Sequence, residues 1–202
     1  VLARGNMTAT PVADIADDTA TTLEDTPLVI NANGNDSFEN AAHAITAVDG
    51  TAVAVGTPVT VANGTVTLNA DGTLSFTPNT NFSGTSNFTY TVSSGGVTET
   101  ATVTVNVTPV NDPPVITEPP GGNPPGQTFD PATGAYSAST PEDVAFTGQV
   151  SGTDVDGDTL TYALGTGPTN GAVTVGPATG AYVYTPNADF NGTDSFVVTI
   201  SD

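Results

Sequence analysis

The sequence has no cysteine and no tryptophan, and its only basic residue other than one histidine is Arg4. Without Cys there can be no disulfide staple and no thiolate metal site, and the pairing pattern that reports a redox compartment is missing. The 21 Asp and Glu residues give a formal net charge of -20. Such a chain repels phosphate backbones and anionic headgroups, which excludes nucleic acid and acidic lipid as partners and leaves cations as its natural small ones. No run of 18 or more apolar residues occurs, so no membrane insertion is expected. The opening VLARGNMTAT lacks the apolar stretch of a signal peptide, so any export signal is expected outside this chain.

What is present is Thr, Gly (22) and Pro (16), with few Gln and Leu. That mixture disfavours helices and suits short strands joined by tight turns. The apolar residues alternate as folded strands require, which sets the chain apart from an acidic disordered tail.

A repeat organises the whole sequence. LSFTPNTNFSGTSNFTYTVSS (74–94) matches YVYTPNADFNGTDSFVVTISD (182–202) without a gap, and LEDTPLVI (23–30) corresponds to TPEDVAFTGQV (140–150). Two copies of one domain are expected, at 11–110 and 111–202, with residues 1–10 as a tail or the end of a preceding linker. The Pro-rich TPVNDPPVI (108–116) reads as a stiff connection. Period-two alternation places Phe88, Tyr90 and Val92 on one face of a strand, Phe196, Val198 and Ile200 on its counterpart, and Ala101, Val103, Val105 and Val107 on a third. Turn signals at 63–64, 71–72, 170–171 and 179–180 punctuate these strands, so each copy is expected to be an all-β sandwich.

The copies differ. Copy two carries an inserted segment, 118–139, in which TFDPATGAYS reads as a small hairpin, and it lacks the last strand that GGVTETATVTVNVT supplies to copy one. Three accounts fit that lack: a piece of a longer repetitive protein, a strand arriving from elsewhere, or a domain interrupted by an inserted one. An open apolar edge is an aggregation hazard, which favours the first.

Nothing here reads as catalytic. The lone His43 lies in a loop-like NAAHAIT and is expected to face solvent, no Ser or Thr sits in a nucleophile elbow, and no aromatic-lined cleft accompanies the paired acids. The rival to a structural role is a binding module, with Phe129 and Tyr136 of the inserted segment as a ligand surface, although one such pair more often forms a local core.

The chemistry concentrates in SGTDVDGDTLTY (151–162), where Asp154, Asp156 and Asp158 fall at every second position around a Gly. A loop of this kind can converge carboxylates on one point, and Ca²⁺ takes six to eight oxygen ligands. The spacing is not that of an EF-hand, because Gly165 stands where the twelfth-position Glu is needed. The ordinary fate of a charge run, a solvated loop, stands beside this reading.

With EDTP, DVDGD, TPN-x-x-F-x-G-T and NDPP laid out, the sequence resembles the cadherin-like tandem repeats, or extender domains, of large bacterial RTX-type surface adhesins, over residues 11 to 202. The resemblance implies a secreted, extracellular protein at the bacterial cell surface, active in cell adhesion and biofilm formation, in which repeats rigidified by Ca²⁺ project a binding tip. It implies neighbouring repeats of the same chain as partners, and a surface glycan or protein as a ligand reached through other domains. It also implies a ligand set for Ca²⁺ at the junction: Asp154 and Asp156 with Asn111 and Asp112 of the linker, Glu24 of copy one and Asp202, with Asp158 and Asp25 as further ligands. Glu142 and Asp143 would hold the Glu24 place for a following junction. Copy one departs from the pattern, with Phe38 in the first Asp position and Ser94 in place of the closing Asp, so its own upper site, for which Asp36 is a candidate ligand, is expected to be weak or empty. Asp14, Asp17 and Asp18 would line a junction with a preceding domain.

Overall fold

A computed structural model describes residues 15–38 and 40–202. The tail expected at 1–10, and Asp14, lie outside the described residues. The chain divides into two compact units between Val110 and Asn111. Both are built from strands, with one 3-10 turn at Ala32–Asn35 and no α-helix among the described residues.

The first unit contains β1 (Asp18–Leu23), β2 (Leu28–Ile30), β3 (His43–Val48), β4 (Thr51–Ala52), β5 (Pro58–Val61), β6 (Gly64–Leu68), β7 (Leu74–Pro78), β8 (Gly84–Ser94) and β9 (Val97–Thr108). They form two sheets, β1-β9-β8-β3-β4 and β2-β7-β6-β5. The inward residues of both sheets make one core: Phe88, Tyr90 and Val92 from β8 and Ala101, Val103, Val105 and Val107 from β9 meet Val66, Leu74 and Phe76. Each of these side chains is buried, and full burial of a residue of this size stabilises by about 1.5–3 kcal/mol. All pairings are antiparallel except that of β1 with β9, which runs parallel from Asp18↔Val103 to Leu23↔Thr108.

The second unit contains β10 (Val115–Thr117), β11 (Gln127–Asp130), β12 (Ala135–Ala138), β13 (Phe146–Gln149), β14 (Ser151–Thr153), β15 (Thr161–Thr166), β16 (Gly171–Val175), β17 (Ala181–Pro186) and β18 (Val197–Ser201). The repeat seen in the sequence returns as register. Leu28↔Phe76 and Ile30↔Leu74 in the first unit become Phe146↔Tyr184 and Gly148↔Tyr182 in the second. Ile45↔Val92 becomes Tyr162↔Ile200, and each pair is followed by a bulge. β18 thus stands where β8 stands, but no described strand stands where β9 does.

That difference decides how well the second core is covered. Only Val150, Tyr162 and Tyr182 are buried, with Phe146, Phe196, Val198 and Ile200 packed against them while half exposed. Their counterparts Phe88, Tyr90 and Val92 are at most 2% exposed.

The inserted segment forms the expected hairpin, β11 with β12, and Phe129 and Tyr136 pair with ring centroids 4.8 Å apart. It also anchors the unit. Buried Gln127 accepts from the Tyr182 hydroxyl at 3.0 Å and from the Gln149 N–H at 3.0 Å, and donates to the Gln149 carbonyl at 2.7 Å. Both rings are half-buried, in keeping with the local core that such a pair more often forms. His43 departs from expectation: it opens β3 and is half-buried, stacked on Phe38 at 3.9 Å, because the alternation of HAITAV carries the strand back to it.

Candidate metal centre

The acidic loop follows β14 in the second unit. Its backbone reverses at Gly157, whose φ of +80° is the left-handed conformation that glycine adopts at least cost. The Asp154 side chain shapes the turn: its Oδ1 accepts from the Asp156 N–H at 2.9 Å and from the Asp158 N–H at 3.2 Å. With one oxygen so held, the other, Oδ2, is buried and has no hydrogen-bond partner among the described residues. Asp154, Asp156 and Asp158 each present a carboxylate oxygen within 4.8 Å of the others.

The residues that open the second unit join the same loop. The Asp112 N–H donates to Asp156 Oδ2 at 2.8 Å, and Asn111 Nδ2 donates to Asp202 Oδ2 at 2.7 Å. Two consecutive residues therefore tie the acidic loop and the end of β18 to one stretch of backbone. The structure thus gathers Asn111, Asp112, Asp154, Asp156, Asp158 and Asp202 within one unit. The donors are all oxygen, a set that suits a hard cation and offers nothing to a metal that prefers nitrogen or sulfur.

Glu24 belongs to the first unit. It is 4% exposed; its Oε1 accepts from the Val110 N–H, and its Oε2 is buried without a hydrogen-bond partner among the described residues. A buried carboxylate oxygen left unpaired costs about 1–3 kcal/mol or more. Asp25 has another task. At φ +52° it turns the chain, and its Oδ1 accepts from the Asn81 N–H at 3.0 Å. Asp143 repeats both features in the second unit, with φ +60° and a bond of 2.9 Å from the Asp189 N–H. Glu142 is exposed.

The first unit also gathers Asp17, Asp18 and Asp36, which the sequence offered for a junction with a preceding domain and for copy one's own upper site, around the buried Tyr90 hydroxyl. Asp36 Oδ2 lies 3.1 Å from that hydroxyl, and the Ala32 carbonyl lies at 3.0 Å. Asp36 Oδ1 accepts from the Ala16 N–H at 2.8 Å. Asp18 Oδ2 is buried there as well, and Asp17 Oδ1 is turned away to accept from the Thr102 N–H at 2.8 Å. Burial pushes the Asp18 carboxyl above its ordinary pKa, the Tyr90 hydroxyl beside it pulls the other way, and the charges of Asp36 and Asp17 raise it further. Burial likewise raises Tyr90, with Asp18 and Asp36 adding to the shift. A Tyr at the centre of a strand signalled core, but not that its hydroxyl would organise carboxylates from separate segments.

The model of the bacterial cadherin-like domain matches residues 9–109, and that of the bacterial Ig domain matches residues 111–202. The chain belongs to the bacterial cadherin-like domain family. No curated protein matches it. Among solved structures, it is similar to the extracellular cadherin domains 1–5 of protocadherin gamma B2, at 13% identity and a TM-score of 0.43, covering 94% of this chain and 38% of that one. Drosophila N-cadherin EC1-4 follows at 18% identity and 0.43, covering 92% and 43%. A SusE-like, surface-located polysaccharide-binding protein from the Bacteroides thetaiotaomicron heparin utilisation locus matches at 15% identity and 0.35, covering 95% and 33%. The cadherin-like chain spans less than half the length of each of these.

Proposed function

We propose that this cadherin-like pair is a Ca²⁺-dependent spacer of a bacterial surface protein, and that the second unit holds the ion with Asp154, Asp156 and Asp158, aided by Asn111, Asp112 and Asp202. The observation that carries this reading is the Asp154 side chain. One of its oxygens is consumed in building the loop, and the other is buried unpaired beside two further carboxylates. Without a cation the arrangement combines like-charge repulsion with an unsatisfied acceptor, and both disfavour the folded loop. A bound Ca²⁺ supplies the positive charge that offsets both. Glu24 of the first unit is proposed as a ligand on the same ground, an unpaired buried carboxylate oxygen. Because Asn111 and Asp112 bond directly to Asp202 and Asp156, an ordered loop also orders the residues through which the chain enters the second unit. The biological consequence would be stiffness where Ca²⁺ is plentiful, outside the cell.

Calorimetric titration of the full chain with Ca²⁺, alongside thermal unfolding in Ca²⁺ and in EGTA, tests this. Stoichiometric binding is expected. At a hundredfold excess over Kd, Ca²⁺ should add about 2.7 kcal/mol of stability. The double variant Asp154→Ala with Asp156→Ala should lose the binding heat while still unfolding cooperatively. Absence of binding at millimolar Ca²⁺ would remove the spacer reading.

A further inference from the structure

The backbone that leads into the acidic loop is held from both sides. Between Gln149 and Ser151 it alternates its partners. On one side the Val150 N–H donates to the Gly180 carbonyl at 2.9 Å. On the other stands the inserted hairpin, β11 with β12. Gln127 of β11 takes both backbone groups of Gln149, accepting from its N–H at 3.0 Å and donating to its carbonyl at 2.7 Å. Tyr136 of β12 takes the next group on that edge, its hydroxyl accepting from the Ser151 N–H at 3.0 Å. From Ser151 the chain runs through β14 to Asp154, three residues or about 10 Å of extended backbone.

The Tyr136 hydroxyl also donates its own proton, to the Thr117 carbonyl. Thr117 stands opposite Ser151 in the ladder of β10 with β14, so one hydroxyl bridges the two strands at the far end of that ladder. At the near end, past Val115↔Thr153, the strands open onto the cation site. Asp154 directly follows β14, and only the φ-locked Pro113 and Pro114 separate Asp112 from β10. There the Asp112 N–H donates to Asp156 Oδ2 and closes the near end. The ladder has three residue pairs, and a two-stranded ribbon so short is marginal by itself. Its geometry therefore depends on what holds its ends.

We propose that the inserted hairpin is a brace for the cation site and that Tyr136 is its positioning residue. This rests on the Ca²⁺ reading of the site and adds the element that prepares it. With the hydroxyl in place, the ribbon holds Asp112 and Asp154 together before an ion arrives, against the repulsion among the three carboxylates. Without it, the Thr117 carbonyl and the Ser151 N–H lose their shared partner and the ribbon is closed for less of the time. Binding must then supply the ordering, so apparent affinity falls by the fraction of closed ribbon that is lost. By reciprocity, Ca²⁺ tightens the hairpin's grip by the same factor as the hairpin tightens Ca²⁺.

Tyr136→Phe removes the hydroxyl and keeps the ring that packs on Phe129. Calorimetric Ca²⁺ titration of the full chain should give this variant a Kd about fivefold weaker than that of the wild type. Tyr184→Phe, which removes a hydroxyl bonded to Asp194 in the same unit, should leave Kd unchanged. Amide exchange followed by NMR on the wild-type chain needs no variant: Ca²⁺ should slow exchange at Gln149 and Ser151 relative to EGTA. An unchanged Kd in Tyr136→Phe, with only a lower melting temperature, would make the hydroxyl a stabiliser of the fold alone and overturn the brace. So would an equal weakening in Tyr184→Phe, or Ser151 exchange that Ca²⁺ leaves unmoved. A wild-type chain that binds no Ca²⁺ is a different failure: it removes the site itself, and the brace with it.

Discussion

At the scale of single residues, Asp18 shows how little a carboxylate's surroundings can be read from its neighbours in the chain. DIADD reads as acids lining a junction with a preceding domain, yet Asp18 Oδ2 is buried beside the Tyr90 hydroxyl and Asp36. Its folded pKa is raised above the ordinary value of 3.8, so the folded state binds a proton more tightly than the unfolded chain does. Stability therefore falls as pH rises from the ordinary value through the raised one, and at neutral pH the full penalty is present. Asp18→Asn is expected to raise the unfolding temperature at pH 7, with the gain shrinking toward zero below about pH 4 in thermal melts followed by circular dichroism. Asp194 has the opposite sign. Burial would raise it, but the N–H groups of Asn170, Thr169 and Ser195 and the Tyr184 hydroxyl outweigh that and leave it lowered. Its contribution is present above the ordinary carboxylate range and is lost as pH falls through the lowered value.

At the scale of strands, the repeat provides a built-in comparison. Gly64 and Gly171 each open the strand after an Asn-Gly turn, against the facing strand. A Cβ on Gly64 would collide with the Thr77 carbonyl oxygen and lie 2.8 Å from the Phe76 ring; on Gly171 it would lie 2.6 Å from both the Thr185 oxygen and the Tyr184 ring. Gly64→Ala should cost about 1–3 kcal/mol in chemical denaturation, since backbone and ring must both move. The counterparts Phe88 and Phe196 should diverge. Phe88→Ala removes a fully buried ring and should cost about 3–5 kcal/mol. Phe196→Ala should cost clearly less, because its ring is already half exposed. The alternation of FTYTV and ATVTVNV made these strands legible from the sequence, and the NG and DG turns fixed where they end. What escaped was non-local: that Thr-rich DTATTL would pair with β9, that HAITAV would draw His43 into a strand, and that the Gln127 side chain would be buried with four hydrogen bonds. At the acidic loop, the spacing of Asp154, Asp156 and Asp158 announced the cluster, whereas the use of one Asp154 oxygen to build the turn depends on a backbone path that spacing does not encode.

For the whole molecule, each unit has its own core, so each has its own stability. The first is closed by β9; the second leaves Phe196, Val198 and Ile200 half exposed. Differential scanning calorimetry in EGTA should show the second unit melting at the lower temperature, and Ca²⁺ should shift that transition upward. A single transition unmoved by Ca²⁺ would contradict both halves of the expectation.

The parallel pairing of β1 with β9 has a mechanical consequence. These are the first and last strands of the first unit, and they run in the same direction. Tension applied to the two ends of the unit pulls β1 backward and β9 forward along a shared line. The bonds along the ladder from Asp18↔Val103 to Leu23↔Thr108 are then loaded together in shear, instead of opening one after another like a zip. The first unit is thus wired to bear a pulling force along its length.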